Sequence, residues 1–512
     1  MAVANSSTSS KRRITGAIVS YLYMISQICV QLIYVPLLLS GIGQDEYGLY
    51  QLIGSVMSYI VSINGVLSAG VGRYYCKYRA EGNERMAENT LAISRRLYWM
   101  VSGISFCAVF ILIWIVRGAY SASLTPRQLD ECAAMLVVLG FNTAVSMNNT
   151  INVAVITAEE RFVFLKGTQL ITLLLQPLVV AALLPIMPNA LMVTLVVLAM
   201  NILSASIQRL FVQFTLKVKA VFYGWDKSLV RGLIGFSFSI LLVVAADQLF
   251  WKTGQLVIGY FSGPSLVAVY AVGAQIYFAY MNIGTVVSSV YFPRVSELYH
   301  GSHDLRSISY LHARVGRITF VICSSVLGAF FILGSEFISL WAGQEFADSY
   351  WVALFVMIGL TVDLVQNLSN TILQVANRYL FRGVALLCFA AISLVVSVAL
   401  LGEVGIIGVA LSTSICMIIC NGFVMNIYLW KSVGIDVVLF WKEQAKLVFL
   451  FIIYTALFYL LYQFLPSPFS SSWLNIICFG ILYVGGLMAI YLQFGLKEEE
   501  KRLLKRVTGL SK

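Results

Sequence analysis

The chain has 512 residues, of which 60% are hydrophobic and 11% are charged, and its mean hydropathy is +0.87. A soluble domain carries roughly 25% charged residues to cover its surface, so this composition excludes an ordinary soluble protein. The formal net charge of +11 at pH 7 raises the question of nucleic-acid binding, which the distribution of the charges answers below.

The apolar segments predict α-helices that cross a membrane. In lipid the backbone must pair with itself, which leaves only helices and closed barrels. These segments are about 20 residues long and do not alternate in polarity, which favours helices. We predict about fourteen spans, numbered in chain order, at residues 14–40, 47–70, 97–117, 131–156, 168–187, 190–212, 233–258, 264–290, 313–335, 350–372, 384–402, 405–428, 446–465 and 473–494.

The two ends of the chain are predicted to lie in the cytoplasm. The first apolar segment, 14–40, is too long for a signal-peptide core and lacks a small-residue cleavage site, so we interpret it as a retained span. Residues 1–13 then form an N-terminal tail. Residues 495–512 have leucines at helical spacing and predict either an amphipathic helix on the membrane surface or a frayed, solvated one.

The basic residues indicate the orientation of the spans. When the loops are numbered alternately, 31 of the 34 Lys and Arg residues fall on one side. The exceptions are Arg117, Arg127 and Lys252, the last inside a span. Because positive loops stay in the cytoplasm, this asymmetry explains the net charge as a topology signal and makes nucleic-acid binding a poor interpretation.

An internal repeat divides the chain into two halves. An offset of 220 aligns Gly43 with Gly263 in the segments GIGQDEYGLYQLIG and FSGPSLVAVYAVGA, and one residue more aligns Arg73 with Arg294. A second match, RFVFLKG at 161–167 with RYLFRG at 378–383, has nearly the same offset. We therefore predict an N-terminal lobe at 14–212, a cytoplasmic loop at 213–232, a C-terminal lobe at 233–428, and two extra spans at 446–494.

The segments VPLLLSGIGQDEYGLYQL and VIGYFSGPSLVAVYAVGAQI resemble the polysaccharide-transport branch, the Wzx-type oligosaccharide flippases, of the multidrug/oligosaccharidyl-lipid/polysaccharide (MOP) exporter superfamily. The resemblance covers nearly the whole chain. It implies an all-α polytopic fold of the MATE-like type, with two six-helix lobes around a central cavity and two further helices.

The resemblance also implies a function. Such flippases move an undecaprenyl-pyrophosphate-linked oligosaccharide from the inner to the outer leaflet of the bacterial inner membrane by alternating access, for surface polysaccharide such as O-antigen, capsule or exopolysaccharide. The implied partners are this lipid-linked oligosaccharide, a coupling ion (H⁺ or Na⁺), and a polysaccharide polymerase with glycosyltransferases. A monomer without cofactor and without enzymatic activity is expected.

Charged residues at bilayer depth are costly, at least ~2.5–3.5 kcal/mol on insertion scales, and are therefore functional candidates. Asp247 and Lys252 in span seven and Asp363 in span ten meet this criterion. The alternatives are that the aspartates are hydrogen-bond partners between helices and that Lys252 reaches the outer interface. Related flippases often carry several cations in the cavity, so the single Lys252 is a departure that puts a mid-membrane phosphate site in doubt.

Polar stripes predict helix faces that line a cavity, because lipid cannot hydrogen-bond amides. In span ten, Asp363, Gln366, Asn367 and Asn370 share one face at i, i+3, i+4 and i+7. Span four has Asn142, Ser146 and Asn149, and span one has Ser20, Gln27, Gln31 and Tyr34. Several long amides on one face favour a wet cavity over dry helix contacts, which prefer small residues.

A lipid-linked sugar needs aromatic surfaces and cations as well as amides. Tyr270, Tyr277 and Tyr280 in span eight are candidates for stacking on sugar rings, or for ordinary packing. Arg73 and Arg294 lie at the cytoplasmic ends of spans two and eight, where an inner-leaflet phosphate would arrive. We interpret them as phosphate-capture residues or as plain topology anchors.

No metal site is predicted. His300, His303 and His312 are expected in one polar loop, and Cys416 and Cys420 lie one turn apart without further ligands. The alternative function is a multidrug or cation antiporter of the same superfamily, which buried carboxylates would suit. A membrane glycosyltransferase is disfavoured, because the longest polar gap, about 71–96, is basic and carries no acidic motif.

Overall fold

The computed structural model describes residues 2–289, 291–302, 304–464 and 472–497. Within these ranges the chain is helical and contains no strand. The sixteen α-helices are α1 (Ala2–Ala80), α2 (Glu84–Ala119), α3 (Pro126–Ala158), α4 (Phe162–Leu183), α5 (Ala190–Leu210), α6 (Lys227–Ser262), α7 (Pro264–Ser289), α8 (Phe292–Glu297), α9 (Leu305–Trp341), α10 (Ser349–Val365), α11 (Leu368–Val375), α12 (Tyr379–Val404), α13 (Ile406–Ile419), α14 (Met425–Tyr428), α15 (Val437–Phe464) and α16 (Ser472–Ile490). The predicted all-helical membrane fold is confirmed.

Polar side chains begin several of these helices. Thr125 and Gln128 form a reciprocal capping box at the start of α3, and Asn189 accepts from the backbone of Met192 at the start of α5. Asp226 and Asp304 cap α6 and α9, and the hydrogen bonds that they accept lower the pKa of both carboxyls. Each cap satisfies backbone N–H groups that have no partner inside the helix.

Two repeat-related glycines break the helices in the same way. Gly43 interrupts α1 with φ 84° and ψ 172°, and Gly263 separates α6 from α7 with φ 80° and ψ −177°. This positive-φ conformation is open to glycine and strained for other residues. The offset of 220 found in the sequence therefore corresponds to two equivalent turns in the backbone.

Twelve helical segments among the described residues are long and apolar enough to span a membrane. The predicted count of fourteen is not confirmed and stays a prediction. One of the twelve, Leu22–Ser62, contains the break at Gly43, so it includes parts of two predicted spans. The helix α6, which contains predicted span seven, is 36 residues long but is not among the twelve.

The chain divides into two compact units, residues 1–268 and 269–512. In the first unit, α6 packs along α1, although the sequence placed it in the C-terminal lobe. The Ser55 hydroxyl donates to Gln255, and the hydroxyls of Tyr59 and Thr253 lie 3.2 Å apart. These polar contacts give α6 partners in the first unit that hydrophobic periodicity alone does not indicate.

The glycine turns meet within this first unit. The Gln44 amide donates to the Ser265 carbonyl over 3.1 Å, and the Ser265 hydroxyl donates to Asp45. A Cβ atom at Gly48 would lie 1.9 Å from the Pro264 carbonyl oxygen. Only glycine at position 48 permits this close approach.

In the second unit, predicted span ten is not one continuous helix. Helix α10 ends at Val365, and α11 begins at Leu368 after a turn at Gln366 and Asn367. Predicted span twelve is instead one continuous helix, Ile406–Val433, in which π-helical turns at 420–424 and 429–433 flank the short α14. The second unit has a core cluster in which α9, α15 and α16 pack together around Phe440 and Tyr483.

The chain ends are described in part, and their predicted cytoplasmic location stays a prediction. Helix α1 begins at Ala2, so the predicted tail 1–13 is helical from residue 2, and no Pro or Gly interrupts it before Gly16. At the other end, Lys497 pairs with Glu443 at 2.7 Å. The rest of the predicted amphipathic tail, 498–512, lies outside the described residues.

The loop between α5 and α6 is held against the start of α2. The buried Asn89 side chain accepts from the Tyr223 amide over 3.0 Å and donates to the Gly224 carbonyl over 3.1 Å. The Arg96 guanidinium lies 3.3 Å from the centroid of the Phe222 ring. One asparagine thus satisfies a donor and an acceptor of the loop backbone.

We expect Asn89→Ala to loosen this loop. The substitution leaves two partly buried backbone groups without partners, and each such loss costs at most about 1–3 kcal/mol. Hydrogen exchange of the Tyr223 and Gly224 region, followed by mass spectrometry, should become roughly tenfold faster or more. Glu84→Gln, at an exposed position in the first turn of α2, keeps Asn89, is the control and should leave exchange nearly unchanged. Equal protection in Asn89→Ala and the native chain would contradict this role.

Candidate functional site

A polar cavity of about 420 Å³ lies among α1, α3, α4 and α5 in the first unit. Of its fifteen lining residues, eleven carry a hydroxyl or amide group: Tyr23, Asn142, Ser146, Asn149, Thr150, Gln169, Thr172, Gln176, Asn201, Ser204 and Gln208. We call this space the four-helix cavity. Such a lining inside apolar helices offers many neutral donors and acceptors, which is the chemistry that binds hydroxyl-rich or hydrated ligands.

Pairs of amides join the walls of the four-helix cavity. Asn201 donates to the Asn142 side chain over 2.8 Å, and Asn149 donates to Gln208 over 2.8 Å. Gln208 in turn donates to Thr168 and Ser204 at 3.3 and 3.1 Å. The network ties α3, α4 and α5 together while the remaining lone pairs and N–H groups face the space.

The predicted face of span four, Asn142, Ser146 and Asn149, lines this cavity as a set. The facing polar residues were missed by the sequence analysis. Gln169, Thr172 and Gln176 on α4 recur at i, i+3 and i+7, as do Asn201, Ser204 and Gln208 on α5. The same helical spacing that selected span four would have selected both faces.

The predicted residues of span one have a different placement. Gln27 and Gln31 occupy exposed positions of α1 and do not line the four-helix cavity. Tyr34 accepts from Gln176 over 3.3 Å, and Tyr23 lines the cavity with Lys166 4.8 Å from its ring centroid. The side chain of Ser20 lies outside the described set. Helix α1 therefore contributes tyrosines to this cavity, and its predicted amides lie elsewhere.

Asp247 and Lys252 are partly buried on α6 and take part in interactions with neighbouring groups. Neither is among the residues that line the four-helix cavity. The structure thus keeps both in the first unit but does not bring them together with the amides of α3. Their role in a substrate cavity stays a prediction.

Asp363 forms an ion pair with Arg382. Its carboxylate oxygen lies 3.9 Å from the guanidinium, and the two side chains are 16% and 11% exposed. The sequence analysis had counted Arg382 among the loop cations. Because α12 begins at Tyr379, Arg382 instead lies in its first turn. Of the two alternatives for Asp363, the structure shows a partner between helices.

The amides that follow Asp363 are also paired. Gln366 is buried and donates to the Val362 and Asn421 carbonyls. Asn367 donates to Ser288 over 2.5 Å, and Asn370 donates to Asn367 over 2.7 Å. The predicted single face is therefore divided by the turn at 366–367, which directs Gln366 into the interior while Asn367 and Asn370 stay together.

The candidate stacking tyrosines are buried. Tyr270, Tyr277 and Tyr280 are at most 2% exposed, and the Tyr280 hydroxyl lies 2.7 Å from that of Thr361. Their rings are packed among neighbouring side chains, so in this conformation they offer no face to a sugar. Packing, the second alternative for these residues, is what the structure shows.

Arg294 lines a cavity of about 750 Å³ in the second unit. We call this space the basic cavity. Arg314, Arg317 and Lys497 share its lining with one carboxylate, Glu443. Arg317 is 5% exposed at its side chain and is fixed by Glu443 at 2.7 Å and by the Gly495 carbonyl at 3.0 Å. The lining carries a surplus of three positive charges, which suits an anion.

Arg73, the repeat partner of Arg294, lies in the first unit at an exposed position near the end of α1. It interacts with a neighbouring group, as does Arg314 of the basic cavity. Arg294 itself pairs with the exposed Glu297 over 2.7 Å. Because exposed pairs of this kind contribute only about 0–1 kcal/mol, Arg294 can exchange Glu297 for an anionic ligand.

The histidines do not form a loop cluster. His312 is fully buried in α9, where its ring stacks on Phe440 with the centroids 4.4 Å apart, and His303 lies outside the described residues. The helix α9 begins at Leu305, earlier than predicted, and this places His312 in its interior. No group of three His, Cys, Asp or Glu residues arranged for a metal occurs in the described part of the chain.

Comparison with known proteins places these features in a family. Residues 42–351, more than half of the chain, match the family described as "Polysaccharide biosynthesis protein". The chain belongs to the polysaccharide biosynthesis protein family. The matched segment includes both glycine turns, every lining residue of the four-helix cavity except Tyr23, and Arg294. No curated protein matched the sequence.

Solved structures share the fold of this polysaccharide biosynthesis protein. The chain matches the lipid II flippase MurJ in an inward closed conformation with a TM-score of 0.71 at 15% identity, over 94% of this chain and 99% of that one. An inward-facing multidrug resistance MATE transporter of the MOP superfamily matches with 0.61 at 13% identity, over 79% and 96%. A MOP superfamily transporter from Pyrococcus furiosus matches with 0.54 at 14% identity, over 83% and 94%. The predicted MOP fold is confirmed.

We expect removal of the Asp363 charge alone to destabilise the protein, because Asp363 pairs with Arg382. Asp363→Asn leaves the largely buried Arg382 charge uncompensated, and such losses cost about 3–5 kcal/mol. The thermal unfolding midpoint in detergent should fall for Asp363→Asn and recover, wholly or largely, in Asp363→Asn with Arg382→Gln. Arg378→Gln, an exposed neighbour at the start of α12, serves as the charge control and should leave the midpoint nearly unchanged. If the unfolding midpoint of the double variant fell by the sum of the decreases in the two single variants, the result would contradict an interaction between Asp363 and Arg382.

Proposed function

We propose that this polysaccharide biosynthesis protein is a flippase for undecaprenyl-pyrophosphate-linked oligosaccharide. It would act in the bacterial inner membrane, with both termini in the cytoplasm, and serve surface polysaccharide synthesis. The observation that carries the proposal is the family match over residues 42–351, in a chain whose fold is similar to that of the lipid II flippase MurJ. Function in this proposal is transport, without cofactor or bond-breaking chemistry.

The four-helix cavity supplies the chemistry that a sugar requires. A glycan presents many hydroxyls, each of which donates and accepts. Asparagine and glutamine side chains also do both, and the cavity holds Asn142, Asn149, Asn201 and Gln208 on two facing helices. A cavity between the lobes, large enough for the whole head group, remains part of the proposal.

The pyrophosphate requires cations at the side where the substrate enters. The basic cavity provides them: Arg317 is held rigid by Glu443, while Arg294 is tied only by an exposed pair. A guanidinium presents two parallel N–H donors to phosphate oxygens. We assign the first capture of the phosphate to Arg294 and, on the repeat-related helix end, to Arg73.

The contacts at the glycine turns suit alternating access. Gln44 and Asp45, just after the break in α1 at Gly43, bind Ser265, just after the end of α6, and the charge pattern assigns both places to the periplasm. Opening toward that side requires these hydrogen bonds to separate. A coupling ion, H⁺ or Na⁺, and a polymerase with glycosyltransferases as downstream and upstream partners complete the proposal for a monomeric transporter.

A cation or multidrug antiporter is the competing function, since MATE transporters share the fold. A cationic drug needs an intramembrane carboxylate that is available to it. Asp363 is instead engaged by Arg382, which lowers the attraction of that site for a second cation. The surplus of positive charge in the basic cavity likewise favours an anionic ligand.

We expect Arg73→Gln with Arg294→Gln to impair transport of the lipid-linked glycan. Each lost charge-assisted hydrogen bond costs about 1.5–3 kcal/mol, which corresponds to roughly tenfold or more in capture per arginine. The native chain and variants are reconstituted with labelled lipid-linked glycan, and the translocated fraction is measured with a membrane-impermeant glycosidase.

The control is Lys77→Gln with Arg306→Gln, which removes two exposed cations of the same predicted side that lie outside the basic cavity. It should transport normally. Normal transport by the Arg73 and Arg294 variant, at equal insertion, would remove the capture role. Absence of glycan transport in the native chain together with efflux of organic cations would replace the flippase by the antiporter.

A further inference from the structure

A second cavity opens on the outside of the first unit, and the function proposed above does not use it. It has a volume of about 650 Å³ and lies between α2 and α5, both of which pack on α3. Its walls hold two arginines, Arg95 and Arg209, at one end and Phe106, Phe141 and Ile202 at the other. We call it the lateral groove.

All three helices place their basic or polar residues at one end of the groove and their apolar residues at the other. Helix α2 runs away from the basic end, so Arg95 precedes Phe106, whereas α3 and α5 run toward it, so Asn152 follows Phe141 and Arg209 follows Ile202. Eleven residues separate Arg95 from Phe106, about 16 Å at ~1.5 Å per residue. That length equals about half of the ~30 Å hydrocarbon core, so the groove spans one leaflet.

The two arginines form a site for an anion. Arg95 and Arg209 line the same end of the groove, and no carboxylate lines it among the described residues. Neither guanidinium makes an ion pair or a hydrogen bond within the described part of the chain. Two adjacent guanidiniums gain most from a phosphate placed between them, because each presents paired N–H donors.

The surroundings favour a lipid as the carrier of that phosphate. Trp99, one turn deeper than Arg95, is 64% exposed, and Phe141 is also exposed, so the groove is open to the acyl chains. Tryptophan at this depth is typical of the membrane interface. Asn148 and Asn152 line the groove beside the cationic end, where their amides donate to Ser102, the Ala144 carbonyl and Asn149. The charge pattern of the sequence assigns this end to the cytoplasmic leaflet, where anionic lipids attract arginine.

We propose that the lateral groove binds an anionic glycerophospholipid of the cytoplasmic leaflet, with its phosphate between Arg95 and Arg209 and an acyl chain along Phe106 and Phe141. Asn149 lines this groove and the four-helix cavity, and it donates to Gln208 on the cavity side. The bound lipid therefore contacts the same amide that joins α3 to α5, and it stabilises that arrangement of the first unit.

Gly103 allows a steric test that keeps both charges. It lines the groove, and a Cβ atom added there would have no neighbouring atom within 4 Å. Gly103→Phe therefore places a large side chain in the path of the acyl chain, attached through a Cβ atom that meets no neighbour. Arg95→Gln with Arg209→Gln removes the phosphate ligands, and Arg161→Gln with Arg231→Gln removes the same charge from exposed positions outside the groove.

The experiment is native mass spectrometry of the full chain in detergent, titrated with phosphatidylglycerol or with phosphatidylcholine of the same acyl chains. We expect the native chain and the Arg161/Arg231 variant to bind phosphatidylglycerol at least tenfold more tightly than phosphatidylcholine. The Arg95/Arg209 variant should lose this preference, and Gly103→Phe should lose binding of the phospholipid while its fold, measured by circular dichroism, is unchanged.

Three results would overturn the proposal. The first is unchanged phosphatidylglycerol binding in the Arg95/Arg209 variant, and the second is an equal loss in the Arg161/Arg231 control. The third is displacement of phosphatidylglycerol by an equal concentration of polyprenyl phosphate or by inorganic phosphate, which would make the occupant a different phosphate compound. Each arm measures lipid binding to the intact protein and does not measure transport, so a failure of the proposed transport function would not change the result.

Discussion

The structure depends on one constraint: in lipid, a polar side chain has no water to bind, so it must find its partner inside the protein. The amides of α3 bind those of α5, and Gln208 of α5 also donates to Thr168 of α4, so the result is both a tie between helices and a polar space. The same constraint explains the pair of Asp363 with Arg382. Polar groups that a soluble protein would place on its surface here determine which helices pack together.

The second determinant is the backbone at two glycines. Gly43 and Gly263 adopt nearly the same positive-φ conformation, and each ends one helix and begins the next. Their neighbours Gln44, Asp45 and Ser265 hydrogen-bond to each other within the first unit.

Much of the fold could be predicted from the sequence. Long apolar segments predicted the helices, and the spacing of Asn142, Ser146 and Asn149 identified one wall of the four-helix cavity. These features follow from local periodicity. Gln169 and Asn201 obey the same periodicity and were overlooked.

Other features could not be predicted because they depend on packing between distant segments. The partner of Asp363 was hidden because Arg382 resembles a loop cation until the start of α12 is known. Hydropathy carries no signal for the turn at Gln366 and Asn367, which interrupts an otherwise apolar span. The burial of Tyr277 and the packing of α6 on α1 likewise depend on neighbours that are remote in sequence.

The central claim is that the amide faces of the first unit enclose a hydrated space. Cysteine substitutions at Gln176 and Asn201, which line the four-helix cavity, and at Leu174 and Leu178, which are exposed on the same α4, test it in a chain without its native cysteines. A small water-soluble thiol reagent is predicted to label positions 176 and 201 in membranes and to leave 174 and 178 unlabelled. Labelling confined to 174 and 178, or absent at all four, would contradict the account.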